Sequence, residues 1–385
     1  MLKRLPLFYS VTFLFWASIY VYVPYVTPYA EYMEADLRFI GLIAGAYGFV
    51  QMVLRFPLGI LSDRLRKRKV FVLMGLLFAA LSGLIVFIMP SPAALLISRS
   101  LAGVTAATWV TLTIMGASYY RPEETIKSIG LLNAANGFGR MAALMAGGIL
   151  AETLGLSYVF LIGGIIAFTG FLLGFGMIEK KPEIKPGSTP SISALFDVAK
   201  NSQLLSASIL AVICMFIQFA TAFGFVPIVA AHMGASNMQL GLLGMVSTLP
   251  ALFVSPLMAR VVSRIGVLYS LSICFLLAGI GTVLVAFSQI LLHLFVVQII
   301  ASIGLAGLMT VLMGLSIRDI AGEKRATAMG FFQAVYGLGM FLGPFVMGWI
   351  SHGFGFAGGF IFTGIVAMAG ILMTFIFIKR GYLQS

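Results

Sequence analysis

Twelve long apolar stretches, separated by short polar segments, make up most of the chain. Each is about 20 or more residues long, which is the length that an α-helix needs to cross the hydrocarbon core of a bilayer. The pattern predicts an all-α polytopic membrane protein. Its twelve transmembrane helices are expected at approximately Leu5–Ala30, Phe39–Leu61, Val70–Met89, Ala93–Tyr119, Ser128–Ala151, Tyr158–Ile178, Leu204–Ala231, Met238–Ala259, Val267–Phe287, Ile290–Ile317, Ala328–Ser351 and Ala357–Ile378.

One polar segment is much longer than the others. Residues 179–203 are rich in Lys, Pro and Gly, a composition typical of a linker between domains. We therefore expect an N-terminal six-helix bundle over residues 1–178, a linker over 179–203 and a C-terminal six-helix bundle over 204–385.

The two predicted bundles resemble each other at an offset of 200 residues. At this offset Gly41 aligns with Gly241, and Gly148 aligns with Gly348. An even number of spans in each repeat predicts parallel repeats related by an axis along the membrane normal, with a substrate held between them near the midplane.

Composition and charge exclude a soluble protein and set the orientation. Of the 385 residues, 61% are hydrophobic and 9% are charged, and the mean hydropathy is +1.07. With the N-terminus inside, the predicted cytoplasmic segments hold 20 of the 24 Lys and Arg residues. This bias predicts a multi-pass protein of the inner or plasma membrane, in contact with the lipid bilayer, with both termini cytoplasmic. The net charge of +12 then reflects topology, and no nucleic-acid partner is expected.

The loop between the second and third predicted spans carries a motif. Its residues are Gly59, Leu61, Ser62, Asp63 and Arg64, followed by Arg66, Lys67 and Arg68. The basic residues alone would also suit an ordinary cytoplasmic anchor.

This pattern resembles the signature loop of the major facilitator superfamily, with Arg66 in place of the second glycine. The resemblance implies a twelve-helix secondary transporter in which the loop latches the two halves together. The gating and latch candidates are then Gly59, Asp63, Arg64 and Arg68.

Three cations are expected deep in the first bundle, whereas none of the twelve acids is. Charges inside a membrane are costly, so each is a candidate for function. Arg140 lies about 18 Å along the fifth span, and Asn133 and Asn136 share its helical face, which predicts a substrate-binding stripe. A hydrogen-bonded packing site is the alternative. Arg55 could instead extend along its helix to the cytoplasmic face.

The third deep cation, Arg99, is followed four residues later by Gly103. This spacing resembles the fourth-helix motif of the same superfamily, whose arginine is linked to proton coupling. The candidates for proton coupling are therefore Arg99, Glu31 and Asp63. A structural arginine bonded to backbone carbonyls is the alternative for Arg99.

Other polar or aromatic residues lie at a depth that suits a central cavity. They are Tyr20, Gln51, Trp109, Gln218, Thr221, Gln333 and Tyr336. Small residues in the fifth and eleventh spans predict close helix packing, at Gly139, Gly147, Gly148, Gly339, Gly343 and Pro344. The last three of these belong to a segment that resembles an antiporter signature.

The favoured function is proton-coupled efflux of a small organic molecule, such as a drug or a metabolite. The first alternative is a transporter of an anionic or zwitterionic metabolite that uses Arg99 and Arg140. The second is a membrane receptor that does not transport. The sequence contains no constellation typical of an enzyme, a metal site or a cofactor site, and we expect a monomer.

Overall fold

The computed structural model describes residues 5–65, 67–120, 124–179, 197–321 and 324–383, and these ranges contain helices and turns but no strand. The helices are α1 (Leu5–Tyr20), α2 (Val26–Tyr32), α3 (Leu37–Leu65), α4 (Arg68–Ile88), α5 (Pro92–Ala107), α6 (Trp109–Ala117), α7 (Thr125–Leu154), α8 (Leu156–Gly174), α9 (Ser202–Ala220), α10 (Val226–His232), α11 (Asn237–Val246), α12 (Pro250–Val285), α13 (Leu291–Arg318) and α14 (Arg325–Lys379). The predicted linker lies mostly outside the described residues.

Nine helical stretches in the described chain are long and apolar enough to cross a membrane. Two of them bend sharply, because Gly266 in α12 and Gly355 in α14 have φ angles of 79° and 73°. Both glycines fall between two predicted spans. The 30-residue helix α7 is not among the nine. The all-α membrane fold is confirmed, and the count of twelve spans stays a prediction.

The helical path of each half is interrupted at matching places. In the first half, a 3-10 turn at Val23–Tyr25 contains Pro24 and separates α1 from α2. In the second half, a π turn at Thr221–Phe225 separates α9 from α10. Proline lacks the N–H that a continuous helix needs, and a membrane protein tolerates such breaks where its own core satisfies the backbone.

Backbone conformation repeats at the same 200-residue offset. Glu34 and Gly234 both have positive φ, at 61° and 80°, and so do Gly155 and Gly355, at 93° and 73°. Each pair turns the chain between two helices at the same end of its half. The internal repeat therefore extends from side chains to backbone, whereas the exact domain boundaries stay a prediction.

The two halves meet along two related helix pairs. In one, Gly41 of α3 packs against the Pro344 carbonyl and Gly348 of α14. In the other, a Cβ on Gly241 of α11 would lie 2.7 Å from the Leu144 carbonyl oxygen of α7, beside Gly148. The 200-residue offset relates one interface to the other. At both, a glycine allows the backbones of two helices from different halves to come close together.

The remaining predicted packing residues bring helices together within each half. Gly139 and Gly147 of α7 lie against the carbonyls of Phe13 and Val21 on the α1 side. Gly339 and Gly343 of α14 lie in the same way against the carbonyls of Val212 and Phe216 of α9. A Cβ at Gly139 would lie 2.6 Å from the Phe13 oxygen. A side chain at these positions would therefore force the helices apart.

The halves are held together at the end of the molecule that contains Glu31 and His232, which we call the closed end. His232 Nε2 lies 3.0 Å from Glu31 Oε2. Thr27 donates a hydrogen bond to the Gly224 carbonyl at 2.6 Å, and Tyr25 donates to the Asn237 carbonyl at 3.2 Å. We call the opposite end, where α3 meets α4, the basic end.

Candidate functional site

A cavity of about 490 Å³ lies between the two halves. The first half contributes Trp16, Tyr20, Tyr47, Gln51, Arg55, Trp109, Asn133, Asn136 and Arg140. The second half contributes Gln218, Phe219, Phe223, Gln333 and Tyr336, together with hydroxyl, methionine and small apolar side chains. The structure thus brings most of the predicted binding residues to one place.

Arg140 is the main polar feature of this cavity. Its guanidinium carbon lies 4.2 Å from the centre of the Tyr20 ring, a distance typical of a cation–π contact. Its Nε and the Oδ1 of Asn136 are buried and have no hydrogen-bond partner in the described chain. Asn133 lines the same wall. The predicted polar stripe on α7 therefore lines the cavity, and two of its polar atoms have no partner in the described chain.

Arg55 lines the cavity as well, and the sequence did not single it out for this role. The side chain is 4% exposed. Its Nη1 donates to Gln333 Oε1 at 2.7 Å and to the Tyr336 hydroxyl at 3.4 Å. Arg55 therefore joins α3 to α14, and the idea that it extends to the basic end is wrong. A signal was present, since Tyr47, Gln51 and Arg55 are spaced four residues apart on one helical face.

Aromatic side chains form the floor and one side of the cavity. Trp16 contacts Trp109 edge to face, with ring centres 5.1 Å apart. Tyr47 of the first half stacks on Phe219 of the second at 6.1 Å, and Tyr20 meets Phe223 at 6.2 Å. Trp16 was not predicted, although it lies one helical turn before Tyr20.

The wall from the second half is polar but uncharged. Thr310 donates a hydrogen bond to Ser255 at 2.8 Å, and Gln218 and Ser302 lie nearby. Methionines at 215, 309, 313 and 340 fill the spaces between them. Thr221 is not among the residues that line this cavity, and its role as a binding residue stays a prediction. It lies in the π turn, and its hydroxyl donates to the Ile217 carbonyl at 2.7 Å.

Charge in the cavity has one sign. Arg55 and Arg140 are its charged lining residues, and the described lining includes no carboxylate. Three ion pairs of the described chain, Arg38 with Asp36, Lys200 with Asp197 and His232 with Glu31, involve no residue of this lining. The cavity is therefore a positively charged space with hydrogen-bond donors left free.

The cavity opens toward the basic end. Two of its lining residues, Asn133 and Met313, lie in the halves of α7 and α13 that are nearer to the basic end, and both are exposed. Tyr47, Phe219 and Ser247, which line the cavity on the side of the closed end, are at most 7% exposed. A small molecule could therefore enter from the basic end and stop at the aromatic floor.

The basic loop is anchored to the first half. Helix α3 extends through Gly59 to Leu65, four residues beyond the predicted end of the second span at Leu61. Glu179 accepts hydrogen bonds from the backbone N–H groups of Arg68 and Lys69 at the start of α4. Lys69 Nζ also donates to the Phe175 carbonyl at 2.6 Å.

The latch across the halves stays a prediction. Arg64 is exposed, and the side chain of Asp63 lies outside the described residues. The contact of Glu179 with the basic loop was not predicted. A signal was present, because Glu179 is the first acidic residue after the sixth predicted span, which ends at the basic end.

The three candidates for proton coupling lie far from one another along the molecule. Glu31 is at the closed end beside His232. Arg99 is buried behind Tyr47, with its guanidinium carbon 4.6 Å from the ring centre. Asp63 belongs to the last turns of α3, near the basic end. They do not form one cluster, and proton coupling stays a prediction.

Comparison with known proteins assigns the chain to a family. The family model of the Major Facilitator Superfamily matches residues 8–234 and 208–384. An uncharacterized MFS-type transporter of Methanocaldococcus jannaschii is 23% identical over 390 residues, which cover 98% of this chain and 99% of that protein. The uncharacterized MFS-type transporter YceJ of Bacillus subtilis is 25% identical over 401 residues, covering 100% and 98% of the two chains.

Among solved structures, a bacterial homologue of the human lysosomal transporter Spinster, in an inward-facing and occupied conformation, matches with a TM-score of 0.82. It is 14% identical, and the match covers 100% of this chain and 98% of that one. The fold, the repeat and the family match agree, and the chain belongs to the Major Facilitator Superfamily.

Proposed function

We propose that this chain moves a small organic anion across the membrane by alternating access. The observation that carries the proposal is Arg140, which lines the central cavity and whose Nε has no hydrogen-bond partner in the described chain, while the described lining holds no carboxylate to balance its charge. An anion bound there would supply the missing charge and hydrogen-bond acceptor.

Simple electrostatics favours an anion over a cation at this site. Two unit charges about 5 Å apart interact by about 3 kcal/mol at an effective dielectric constant of ~20. Arg55 contributes a second charge of the same sign on the α3 side of the cavity. A lipophilic cation would therefore meet repulsion where an organic anion meets attraction.

The opposite wall suggests the rest of the substrate. Ser255, Ser302 and Thr310 offer hydroxyl groups, and the methionines between them offer an adaptable apolar surface. Such a wall suits an uncharged body that carries a few polar groups. We therefore infer a substrate with an anionic group near Arg140 and a mixed polar and apolar body toward the second half.

The transport cycle that we propose depends on the two repeat-related interfaces between the halves. In this conformation the closed end is sealed through α3 with α14 and α7 with α11, and the cavity opens at the basic end. Opening the closed end would separate both interfaces while the basic ends approach. The positive-inside bias makes the basic end cytoplasmic, so this conformation faces inward. We propose that the protein acts in the plasma membrane, as a monomer, with both termini inside.

A thermal-shift screen tests the proposed substrate class. Purified protein is heated with benzoate, citrate, glucose 6-phosphate and tetraphenylphosphonium, because a ligand of the folded state raises Tm by mass action. We expect at least one anion to raise Tm, Arg140→Gln to abolish that rise and Arg264→Gln, at an exposed site, to retain it. If the cation alone raises Tm, and does so equally in Arg140→Gln, then the anion proposal is wrong.

Proton-coupled efflux of drug-like compounds is the second candidate. The aromatic floor formed by Trp16, Tyr20 and Trp109 favours it, since such rings bind flat apolar ligands. Glu31 and His232 provide a titratable pair at the closed end. Transport in proteoliposomes that is driven outward by an inward proton gradient, and stopped when the gradient is collapsed, would support this mechanism.

A further inference from the structure

The π turn between α9 and α10 takes part in both the closed end and the central cavity. Its backbone helps to hold the halves together, because the Gly224 carbonyl accepts a 2.6 Å hydrogen bond from Thr27 of the first half. We call this hydrogen bond the seal. One side chain of the turn, Phe223, lines the cavity. Phe223 is partly exposed, whereas the other four residues of the turn are buried. The proposed function assigns no role to this turn.

The turn holds one residue more than a turn of α-helix. The Val226 N–H donates to the carbonyl of Thr221, five residues earlier instead of four. Such turns are rare and occur frequently at functional sites. Gly224 is needed for this path, because a Cβ there would lie 2.5 Å from the Phe219 carbonyl oxygen. The Phe219 ring in turn contacts the Phe223 ring, with centres 5.1 Å apart, so α9 supports Phe223 at the edge of the cavity.

Phe223 is connected to Arg140 through one ring of the first half. The Phe223 and Tyr20 rings meet edge to face, with centres 6.2 Å apart and an angle of 80° between their planes. The other neighbour of Tyr20 is the Arg140 guanidinium, whose carbon lies 4.2 Å from the ring centre. Both contacts depend on the orientation of the Tyr20 ring. The three side chains therefore form a continuous row from the cavity to the turn that carries the seal.

This row has no counterpart at the matching place of the repeat. At the 200-residue offset, Phe223 corresponds to Val23 and Tyr20 corresponds to Ala220. The first half therefore supplies the cation and its ring, and the second half supplies the ring that contacts them. The contact between Tyr20 and Phe223 crosses between the halves, so it depends on how the halves are placed.

We propose that Tyr20 and Phe223 are positioning residues that couple Arg140 to the seal. The inference rests on the proposed function, since it takes Arg140 as the group that an anion binds. Arg140 is partly exposed and lines the cavity, so an anion there competes with the Tyr20 ring for the guanidinium. Loss of the contact between Arg140 and Tyr20 weakens the packing of Tyr20 on Phe223. A ligand with this differential effect shifts the population toward the open closed end.

A distance measurement across the closed end tests this coupling without any ligand. Spin labels are attached at Tyr32→Cys in the first half and Gln289→Cys in the second, both at exposed positions, after Cys214 and Cys274 are replaced by alanine. Double electron–electron resonance then gives the ratio of open to closed populations. We expect Arg140→Gln to raise this ratio about fivefold, the effect of losing one cation–π contact of about 1 kcal/mol.

The same substitution in Phe223→Leu should leave the ratio unchanged, because the ring that reads the position of Tyr20 is already absent. Phe225→Leu is the matched control, since Phe225 belongs to the same turn but contacts Phe356 of its own half at 6.3 Å. The fivefold effect should persist there. It should also persist in Tyr20→Phe, which retains the ring. An equal effect of Arg140→Gln in Phe223→Leu, or no effect in the parent protein, overturns the proposal.

Tyr20→Leu decides the question if Phe223→Leu fails to fold, because it removes the same contact from the side of the first half. Arg140→Gln should again have no effect, and a fivefold effect would overturn the proposal. None of these measurements contains an organic ligand. A coupled response in a protein that no organic anion stabilises would retain the coupling and contradict the proposed function. Independent responses in a protein that citrate stabilises would do the reverse.

Discussion

At the scale of residues, the three deep arginines of the first half contact rings and a neutral amide. Arg140 lies over Tyr20, Arg99 lies over Tyr47, and Arg55 donates to Gln333. Rings and amides position a guanidinium without neutralising it. The positive charge therefore remains available to a ligand.

The bond between Arg55 and Gln333 gives a prediction about stability. Gln333→Met keeps the volume of the side chain but removes the oxygen that accepts from Nη1 at 2.7 Å. Leaving a buried charged donor without its acceptor should lower the free energy of unfolding by about 1–3 kcal/mol. The measurement is the unfolding free energy of the single variants and of the double variant with Arg55→Met.

The double variant is the control, because it removes donor and acceptor together. We expect its loss of stability to be smaller than the sum of the two single losses. Additive losses would show that Arg55 and Gln333 do not interact in the membrane protein.

Much of the cavity could be predicted from the sequence, because polar residues at helical spacing in an apolar span have few other roles. Asn133, Asn136 and Arg140 were found in this way. Thr221 lies outside this lining, and its hydroxyl donates to the Ile217 carbonyl of its own helical segment. Such local bonding leaves no trace in the pattern of polar positions.

At the scale of elements, close helix contacts depend on glycine at the two repeat-related interfaces, α3 with α14 and α7 with α11. Gly41 and Gly241 occupy the same place in the repeat, and each lies against a carbonyl of a helix from the other half. A side chain there has no space unless the backbones separate. The two interfaces should therefore respond to substitution in the same way.

We predict that Gly241→Val shifts the protein away from the conformation with a sealed closed end. A Cβ at this position would approach the Leu144 oxygen to 2.7 Å, so the halves must move apart there. The measurement is the labelling rate of a single cysteine at Thr27, which is buried at the closed end, with a membrane-impermeant thiol reagent. We expect the rate to rise by about tenfold, which corresponds to a shift of about 1.4 kcal/mol.

Gly330→Val is the matched control, because an added Cβ at Gly330 would meet no atom within 4 Å. It should leave the labelling rate unchanged. Equal rates in both variants would mean that Gly241 does not set the separation of the halves.

Helix positions were predictable to within a few residues, but helix ends at the basic end were not. Apolar runs mark the membrane, whereas a helix can continue into water when its charged residues are good helix formers, as α3 does through Arg64 to Leu65. Gly266 and Gly355 lie in the predicted gaps between spans. The π turn at Thr221–Phe225 had no counterpart in the prediction.

At the scale of the whole molecule, the structure combines a sealed end with a cavity that is open at the other. Glu31 and His232 join the halves at the sealed end, 3.0 Å apart. Both side chains are partly exposed, so their attraction alone is weak. The closed end is also held by the two glycine interfaces, at Gly41 and Gly241.

We predict that covalent closure of this end preserves access from the basic end and stops the exchange of conformations. Glu31→Cys with His232→Cys, joined by a short bifunctional thiol reagent, should leave an Asn133→Cys site fully reactive. The same treatment should abolish labelling at Thr27→Cys in the Gly241→Val background. A cross-linked protein whose Asn133 site becomes unreactive would contradict the assignment of the open end.

The most direct test of an anion-selective cavity needs no knowledge of the substrate. Asn133→Cys is introduced after the buried Cys214 and Cys274 are replaced by alanine. The reaction rates of this cysteine with an anionic and with a cationic methanethiosulfonate reagent are then measured in two backgrounds, one with Arg140 and one with Arg140→Gln. Ser263→Cys, at an exposed site on α12, is the reference.

We predict that Arg140→Gln lowers the ratio of the anionic to the cationic rate by about tenfold at position 133, corresponding to about 1.4 kcal/mol, and leaves the ratio at position 263 unchanged. An unchanged ratio at position 133, or a cavity that favours the cationic reagent while Arg140 is present, would contradict the proposal that this transporter selects anions.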